Sequence, residues 1–307
     1  MTNAALFPGQ GSQKVGMLNE LSEVYPLVGE TFEAASGVLG YDLWKLVQEG
    51  PTEELTKTQN TQPAIMAGGV SIFNVLKENF QFNFDNVKFF AGHSLGEYTA
   101  LVCSGSLTVE SATYLLYERG KSMQEAVPKG EGSMLAVLGM SMDELEKEIN
   151  ILSKDGVCEI ANDNCDGQIV VSGRKKIIEI LNENLKKKKK KGILLPVSAP
   201  FHCSLMTNAS INMKEKIQTT NLLKPNPSII SNVTAKEETD VNTIKELLVN
   251  QITSRVRWRE SVQYMINAGV TDFLEIGPGK VLCSLVKKIN KNVKLSNINT
   301  IENIKND

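Results

Sequence analysis

Short apolar runs bounded by glycines alternate along the chain with longer stretches of 3.6-residue periodicity, the pattern of strands and helices taken in turn. Ala4–Phe7 predicts a buried strand that runs into FPGQGSQKVG, a loop with three glycines. From Asn19 to Leu39 the positions Leu21, Val24, Val28, Phe32 and Ala35 share one helical face. Thr61-Gln62-Pro63 opens an apolar helix over Ala64–Phe80, proline being suited to a helix start. Asn86–Ala91 predicts another strand and Leu95–Ser104 the helix after it. Thr108 is placed to cap a helix over Val109–Ala126.

After Pro128 the spacing changes. Ser133–Gly139 predicts a strand, Ser141–Leu152 a helix, Val157–Asn162 and Gln168–Ser172 two strands, Lys175–Lys190 a helix and Gly192–Val197 a last strand. A β-α-β-β-α-β order is the ferredoxin-like arrangement. Residues 128–198 are therefore expected to form a compact insert, from which Pro200 returns the chain to the main body. Ile229–Asn232 and Phe273–Ile276 are further candidate strands. The polar tail after Asn290 is expected to be weakly ordered at its end. The six lysines Lys186–Lys191 read as a solvated helix end, where cations suit the macrodipole.

Composition narrows the functional classes. The chain has 307 residues and a formal net charge of -2, which gives no general argument for nucleic acid or a membrane surface. No apolar run reaches the 18 or so residues of a membrane span, and MTNAALFPGQ lacks the basic start and apolar core of a leader. The five cysteines form no C-x-x-C pair, so they read as reduced thiols of a cytosolic protein. With two histidines in the whole chain, no Cys/His spacing fits a metal site. Lysine outnumbers arginine 28 to 5, which makes each arginine a candidate for a task that lysine cannot do.

Candidate chemistry centres on Gly92-His93-Ser94-Leu95-Gly96, a G-x-S-x-G motif in the strand–turn–helix context it requires. Such a turn projects the serine Oγ and aims the first helix amides at the same point. The Leu95 amide is then a natural oxyanion donor. A serine hydroxyl needs a base. His93, adjacent to Ser94 in the turn, should point away from it, which leaves His202 in Ala199-Pro200-Phe201-His202-Cys203. Acidic residues between Ser94 and His202 are plentiful, but none stands in a recognisable motif; a main-chain carbonyl could equally orient the imidazole.

FPGQGSQ at 7–13, TQPA at 61–64, GHSLGEY at 92–98, ERGKSMQEAVP at 118–128, PFHCSLM at 200–206 and EIGPGKVL at 275–282 stand in one order over nearly the whole length. In that set the chain resembles the malonyl-CoA:acyl carrier protein transacylases of fatty-acid synthesis. The resemblance implies an α/β-hydrolase-like body, residues 1–127 and 199–307, holding the ferredoxin-like insert 128–198. It implies that Ser94 attacks the malonyl thioester of coenzyme A and that His202 takes its proton. The carbonyl of Gln251 would steady the histidine. The amides of Gln10 and Leu95 would hold the oxyanion, and Arg119 the malonyl carboxylate. Guanidinium pairs with a carboxylate through two parallel bonds, as an ammonium does not.

The same resemblance makes Gln62, Asn162 and Phe201 candidate substrate contacts, the bulk of Phe201 favouring malonyl over α-methylated units. Arg255, Arg257 and Arg259 could meet coenzyme A phosphates or an acidic carrier protein, or be plain surface charge. Gly277 and Gly279 read as a turn and not as a phosphate loop. The implied partners are malonyl-CoA and holo acyl carrier protein, with no cofactor beyond the substrate's own coenzyme A, no metal, no nucleic acid and no membrane, in a cytoplasmic monomer. Two other readings use the same residues: a thioesterase that sends water to the acyl-enzyme, and a non-catalytic module that docks carrier proteins.

Overall fold

The computed structural model describes residues 3–80 and 84–306 and is a mixed α/β fold with two sheets. The strands are β1 (Asn3–Phe7), β2 (Val87–Gly92), β3 (Gly132–Leu138), β4 (Cys158–Cys165), β5 (Gln168–Arg174), β6 (Lys191–Leu194), β7 (Ser228–Ile230), β8 (Glu237–Glu238), β9 (Asp272–Ile276) and β10 (Lys294–Ile298).

The first sheet has the order β10-β9-β1-β2-β7-β8. Its strands run parallel except β8, which is antiparallel to β7. Parallel strands covered on both faces read as continuous apolar runs, and the central pair does. Ala5, Phe7 and Phe90 face a core shared with the helices Thr58–Asn79 and Val109–Glu125. Ala4, Leu6, Phe89 and Ala91 face the opposite core, closed by Trp258–Asn267 and Val281–Ile289.

The second sheet is antiparallel, in the order β4-β5-β3-β6. Leu135, Val137 and Val171 face the helices Met142–Leu152 and Lys175–Lys187. Met134 and Val170, one residue along on the same strands, face the other way into the main core and a cleft. Alternation along a strand thus gives this sheet one structural face and one face turned towards Ser94.

The second sheet is tied at β4 to the segment around Val256 and the helix Trp258–Asn267 that follows it. Asp163 N–H donates to Val256 O (2.9 Å) and Val256 N–H to Ala161 O (2.8 Å). The buried Asp163 carboxylate is paired with Arg259, Nη2 to Oδ2 2.9 Å. Lys188 with Glu148, and Lys190 with the Gly139 carbonyl, hold the lysine run against the helix Met142–Leu152 and the end of β3; the rest of the run is solvated, as expected.

Some elements differ from expectation. The helical face read over 19–39 is two helices, Asn19–Val24 and Leu27–Leu39, interrupted at Tyr25-Pro26; the residue before a proline is biased away from helix, and Val24 is exposed. The helix expected from Thr61 begins at Thr58 and carries Pro63 inside it. β6 stops at Leu194 because Pro196 has no amide to continue the ladder. The polar tail, expected to be irregular, supplies edge strand β10 and the helix Ile301–Asn306. Met1, Thr2 and Asp307, on which the reading of both chain ends partly rested, lie outside the described residues. Among the described residues, no helix is long and apolar enough to cross a membrane.

Arg259→Ala strands a buried carboxylate. Because the guanidinium is about one-third exposed, the expected loss is about 1–2 kcal/mol, below that of a fully buried pair. A urea unfolding midpoint equal to that of the parent protein would show that the tie carries no stability.

Candidate active site

Ser94 sits where β2 turns into the helix Gly96–Cys103, at φ 54°. That left-handed conformation is strained for a residue with a side chain. The flanking glycines are required by contact. A Cβ on Gly92 would lie 1.9 Å from the carbonyl group of Gly96, and one on Gly96 2.3 Å from Phe7 O. The Ser94 amide donates to Asn232 Oδ1 (2.7 Å), while Asn232 Nδ2 donates to Gly92 O (2.7 Å). Asn232, just beyond β7, therefore laces the turn from outside.

Ser94 Oγ is 2.7 Å from His202 Nε2. The other ring nitrogen, Nδ1, is 2.9 Å from Gln251 O, a carbonyl at the end of the helix Val241–Gln251, where a helix leaves acceptors unpaired. A carbonyl can only accept, so Nδ1 carries the proton and Nε2 is free to accept from serine. Burial, with the Arg119 charge, pushes His202 down to about 3, so the neutral base is the resident form.

Arg119 is 2% exposed. Gly120 beside it is in close contact with Gln59, where a Cβ would meet the Gln59 Cα at 2.6 Å. The approach of the two helices brings Arg119 Nη1 to donate to Gln62 Oε1 (2.7 Å). Nη2 donates to Gln251 Oε1 (2.8 Å) and to Ser94 Oγ (3.2 Å). The Nε is buried with no partner. No carboxylate pairs with this guanidinium among the described residues; Glu97 stands behind the Gln251 amide, its Oε2 accepting from Gln251 Nε2 (2.7 Å) and Asn232 N–H (3.1 Å). Burial pushes Glu97 up to about 7 against those donors and Arg119.

A cavity of about 640 Å³ opens over these groups. Gln10, Gln62, Ser94, Leu95, Arg119, Asn162, Phe201 and His202 all line it. Among the described residues, the amides of Gln10 and Leu95 are not spent on hydrogen bonds within the fold. His93 points elsewhere, Nε2 to Asn164 Oδ1 at 2.9 Å, with Asn162 Nδ2 at 3.3 Å. Gln251 reaches the group through both its carbonyl and its side chain. The structure thus places Gln10, Gln62, Ser94, Leu95, Arg119, Asn162, Phe201, His202 and Gln251 around one cleft. The three arginines around Trp258 are turned to internal partners instead: Arg255 and Arg257 to Glu260, Arg259 to Asp163 and Asp166.

Glu97, Asn164 and Asn232 escaped sequence reasoning. Asn232 carried a readable signal, a polar residue closing an apolar strand at the carboxyl edge of a parallel sheet, where open α/β folds place their sites. Asn164 follows Asn162 at the strand period of two. Glu97 carried none, since an acid in a first helical turn reads as a complement to the dipole.

A doubly covered parallel sheet presenting a serine, a hydrogen-bonded neutral imidazole and two unspent amides in one cleft defines an α/β enzyme of the acyl-transfer class. The chain belongs to the acyl transferase domain family, which it matches over residues 5–305. It is 43% identical over 299 residues to the malonyl CoA-acyl carrier protein transacylase of Haemophilus influenzae, covering 97% of this chain and 95% of that one. The protein of the same name from Bacillus subtilis is 43% identical over 303 residues, with 98% and 94% covered. The crystal structure of acyl-carrier-protein-S-malonyltransferase from Bartonella henselae superposes with a TM-score of 0.96 at 42% identity, covering 100% of this chain and 98% of that one. A malonyl-transacylase in complex with a type II PKS acyl-carrier protein superposes equally well, TM-score 0.96 at 39% identity, with 99% and 98% covered.

The depressed His202 has a stability consequence with a definite sign. Below about pH 6.5 the unfolded chain takes up a proton at this position that the native state refuses until about 3, so its contribution is full above 6.5 and is lost on acidification. His202→Asn removes that term. Its stability relative to the parent protein should rise by about 2 kcal/mol between pH 7 and pH 5, measured by urea unfolding at each pH. A constant difference would mean that the native imidazole titrates normally.

Proposed function

We propose that this protein transfers the malonyl group of malonyl-CoA to the phosphopantetheine thiol of holo acyl carrier protein, supplying the extender unit of fatty-acid synthesis. The observation that carries the reading is a single oxygen, Ser94 Oγ, held 2.7 Å from a neutral imidazole and 3.2 Å from a buried guanidinium. The first contact supplies a nucleophile. The second supplies a receptor for an acyl group that ends in a carboxylate. The names of the relatives at about 40% identity support the same substrates.

In the proposed cycle Ser94 Oγ gives its proton to His202 Nε2 and attacks the thioester carbonyl. The amides of Gln10 and Leu95 hold the oxyanion, which needs donors placed in advance and not rearranged during reaction. The coenzyme A thiolate leaves with the proton from Nε2. The carrier thiol then attacks the malonyl-Ser94 ester by the same route in reverse, a ping-pong cycle. Gln251 orients His202 through its carbonyl and Arg119 through its side chain. Gln62 fixes the other arm of the guanidinium. Asn162, whose buried Oδ1 has no partner, would accept an N–H from the substrate, and Phe201, 7% exposed at the cavity wall, would restrict branching beside the thioester. The chemistry calls for no further cofactor.

We read the architecture as two subdomains, an α/β-hydrolase-like body of residues 1–127 and 199–307 and a ferredoxin-like insert of residues 128–198 roofing the cleft. The insert's strand and helix order and its separate core favour that division. We further propose a cytoplasmic, monomeric enzyme. A thioesterase would share Ser94 and His202 but gains nothing from burying Arg119 beside the nucleophile.

Intact-protein mass spectrometry after brief mixing with malonyl-CoA should find one malonyl adduct, absent from Ser94→Ala, that passes to holo carrier protein on its addition. Release as free malonate without the carrier would instead establish the thioesterase. Arg119→Ala should cut malonyl transfer roughly 30-fold or more, the cost of removing one side of a buried charge pair, while sparing uncharged acyl groups. Equal losses for malonyl and acetyl donors would remove Arg119 from the carboxylate site.

A further inference from the structure

The proposed substrate site and the nucleophile share an atom. Arg119 Nη2 donates to Ser94 Oγ at 3.2 Å, and that same oxygen faces His202 Nε2 at 2.7 Å. A hydroxyl has one proton and two lone pairs. Its proton is directed at the imidazole and one lone pair at the guanidinium, which draws electron density away from the oxygen that must attack. The proton transfer also creates an imidazolium beside an existing cation in a buried site, where like charges repel strongly.

The surroundings do not cancel that cation. Arg119 is otherwise held by the neutral amides of Gln62 and Gln251. Glu97 makes no hydrogen bond to it, the Gln251 side chain bonding both, and burial pushes that carboxyl up to about 7, so it meets the cation with only part of a charge near neutral pH; Glu238 acts on Glu97 in turn. Tyr98, with its ring 5.9 Å from the guanidinium carbon, is held protonated by burial. His93, the other titratable neighbour of His202, is held neutral. The field of Arg119 is among the causes that depress His202.

We propose that Arg119 restrains the Ser94–His202 pair while the site is empty, and that a carboxylate-bearing acyl group releases it by taking the guanidinium's hydrogen bond and neutralising its charge. This rests on the reading of Arg119 as the carboxylate site. The charge that selects the substrate then also switches on the nucleophile. With the carboxylate bound, the Oγ proton passes to His202 Nε2, Oγ bonds to the thioester carbon, the carbon–sulfur bond breaks, and the thiolate recovers the proton from Nε2. A neutral acyl group leaves Arg119 on Ser94 and reacts slowly even when bound. Discrimination is therefore exercised in the chemical step as well as in binding.

The test uses the full chain and a small neutral fluorophosphonate, whose reaction with Ser94 needs the base but no carboxylate. Arg119→Gln keeps an amide donor and removes the charge. Labelling should be about tenfold faster at pH 6, with the acid limb of the pH–rate profile moved up by about one unit or more. Labelling that is unchanged or slower at every pH overturns the proposal. Should that variant fail to fold, formate added to the parent protein serves instead: a severalfold acceleration supports the proposal, and no change or a slowing overturns it. Labelling involves no malonyl group, so its outcome is independent of the adduct experiment; failure there would refute the transferase reading and not the restraint.

Discussion

Burying the guanidinium of Arg119 without a carboxylate partner is the constraint around which the site is organised. A desolvated charge must be met by hydrogen bonds, and here it is met by oxygens that have other duties. Gln62 belongs to the start of a long core helix, Gln251 to the end of another, and Ser94 Oγ to the turn after β2. Satisfying one cation therefore fixes three elements relative to each other. Gln251 extends the arrangement, because its main-chain carbonyl holds His202 while its side-chain amide stands between Arg119 and Glu97. The base and the cation are aligned by one residue.

The turn at Ser94 depends on close backbone approach. β1 and β2 lie side by side in parallel register, and the helix after β2 passes so near that Gly92 and Gly96 have no room for a Cβ. Asn232 compensates from the neighbouring strand by bonding both the Ser94 amide and the Gly92 carbonyl. The strained φ of Ser94 is thus held by groups on both sides of it. With the Ser94 amide occupied, the next amide in the chain, that of Leu95, is the one left facing the cleft.

The second sheet completes the cleft by simple alternation. Leu135 and Val171 build its own core, while Met134 and Val170 reach back to the cavity. On β4, Asn162 and Asn164 turn towards His93, and Asp163 between them turns to Arg259. The carboxylate that fastens β4 to the helix Trp258–Asn267 and the amides that meet His93 at the cavity wall are consecutive residues of one strand. Arg259 serves this fastening, and Arg255 and Arg257 share Glu260, so the arginines around Trp258 are each engaged with a carboxylate of the fold.

Local pattern was enough to read most of the strands and helices, the G-x-S-x-G turn and its flanking strand and helix, the cap at Thr108 and the β-α-β-β-α-β order after Pro128, because each depends on neighbours a few residues apart. The pairing of Ser94 with His202 was also legible, by scarcity, since a chain with two histidines offers few bases. The Leu95 amide followed from the turn itself, whereas Gln10, Arg119 and Gln251 were reached through the family resemblance over the whole length and not from local physics. Only the tertiary structure decided where the buried polar groups close on one another: Glu97 onto Gln251 and Asn232, Gln62 onto Arg119, Asn164 onto His93. These contacts join residues 57 to 154 positions apart. Their partners are chosen by which donors and acceptors are shut away from water together, and that is a property of the packed molecule, with no trace in the spacing of the chain.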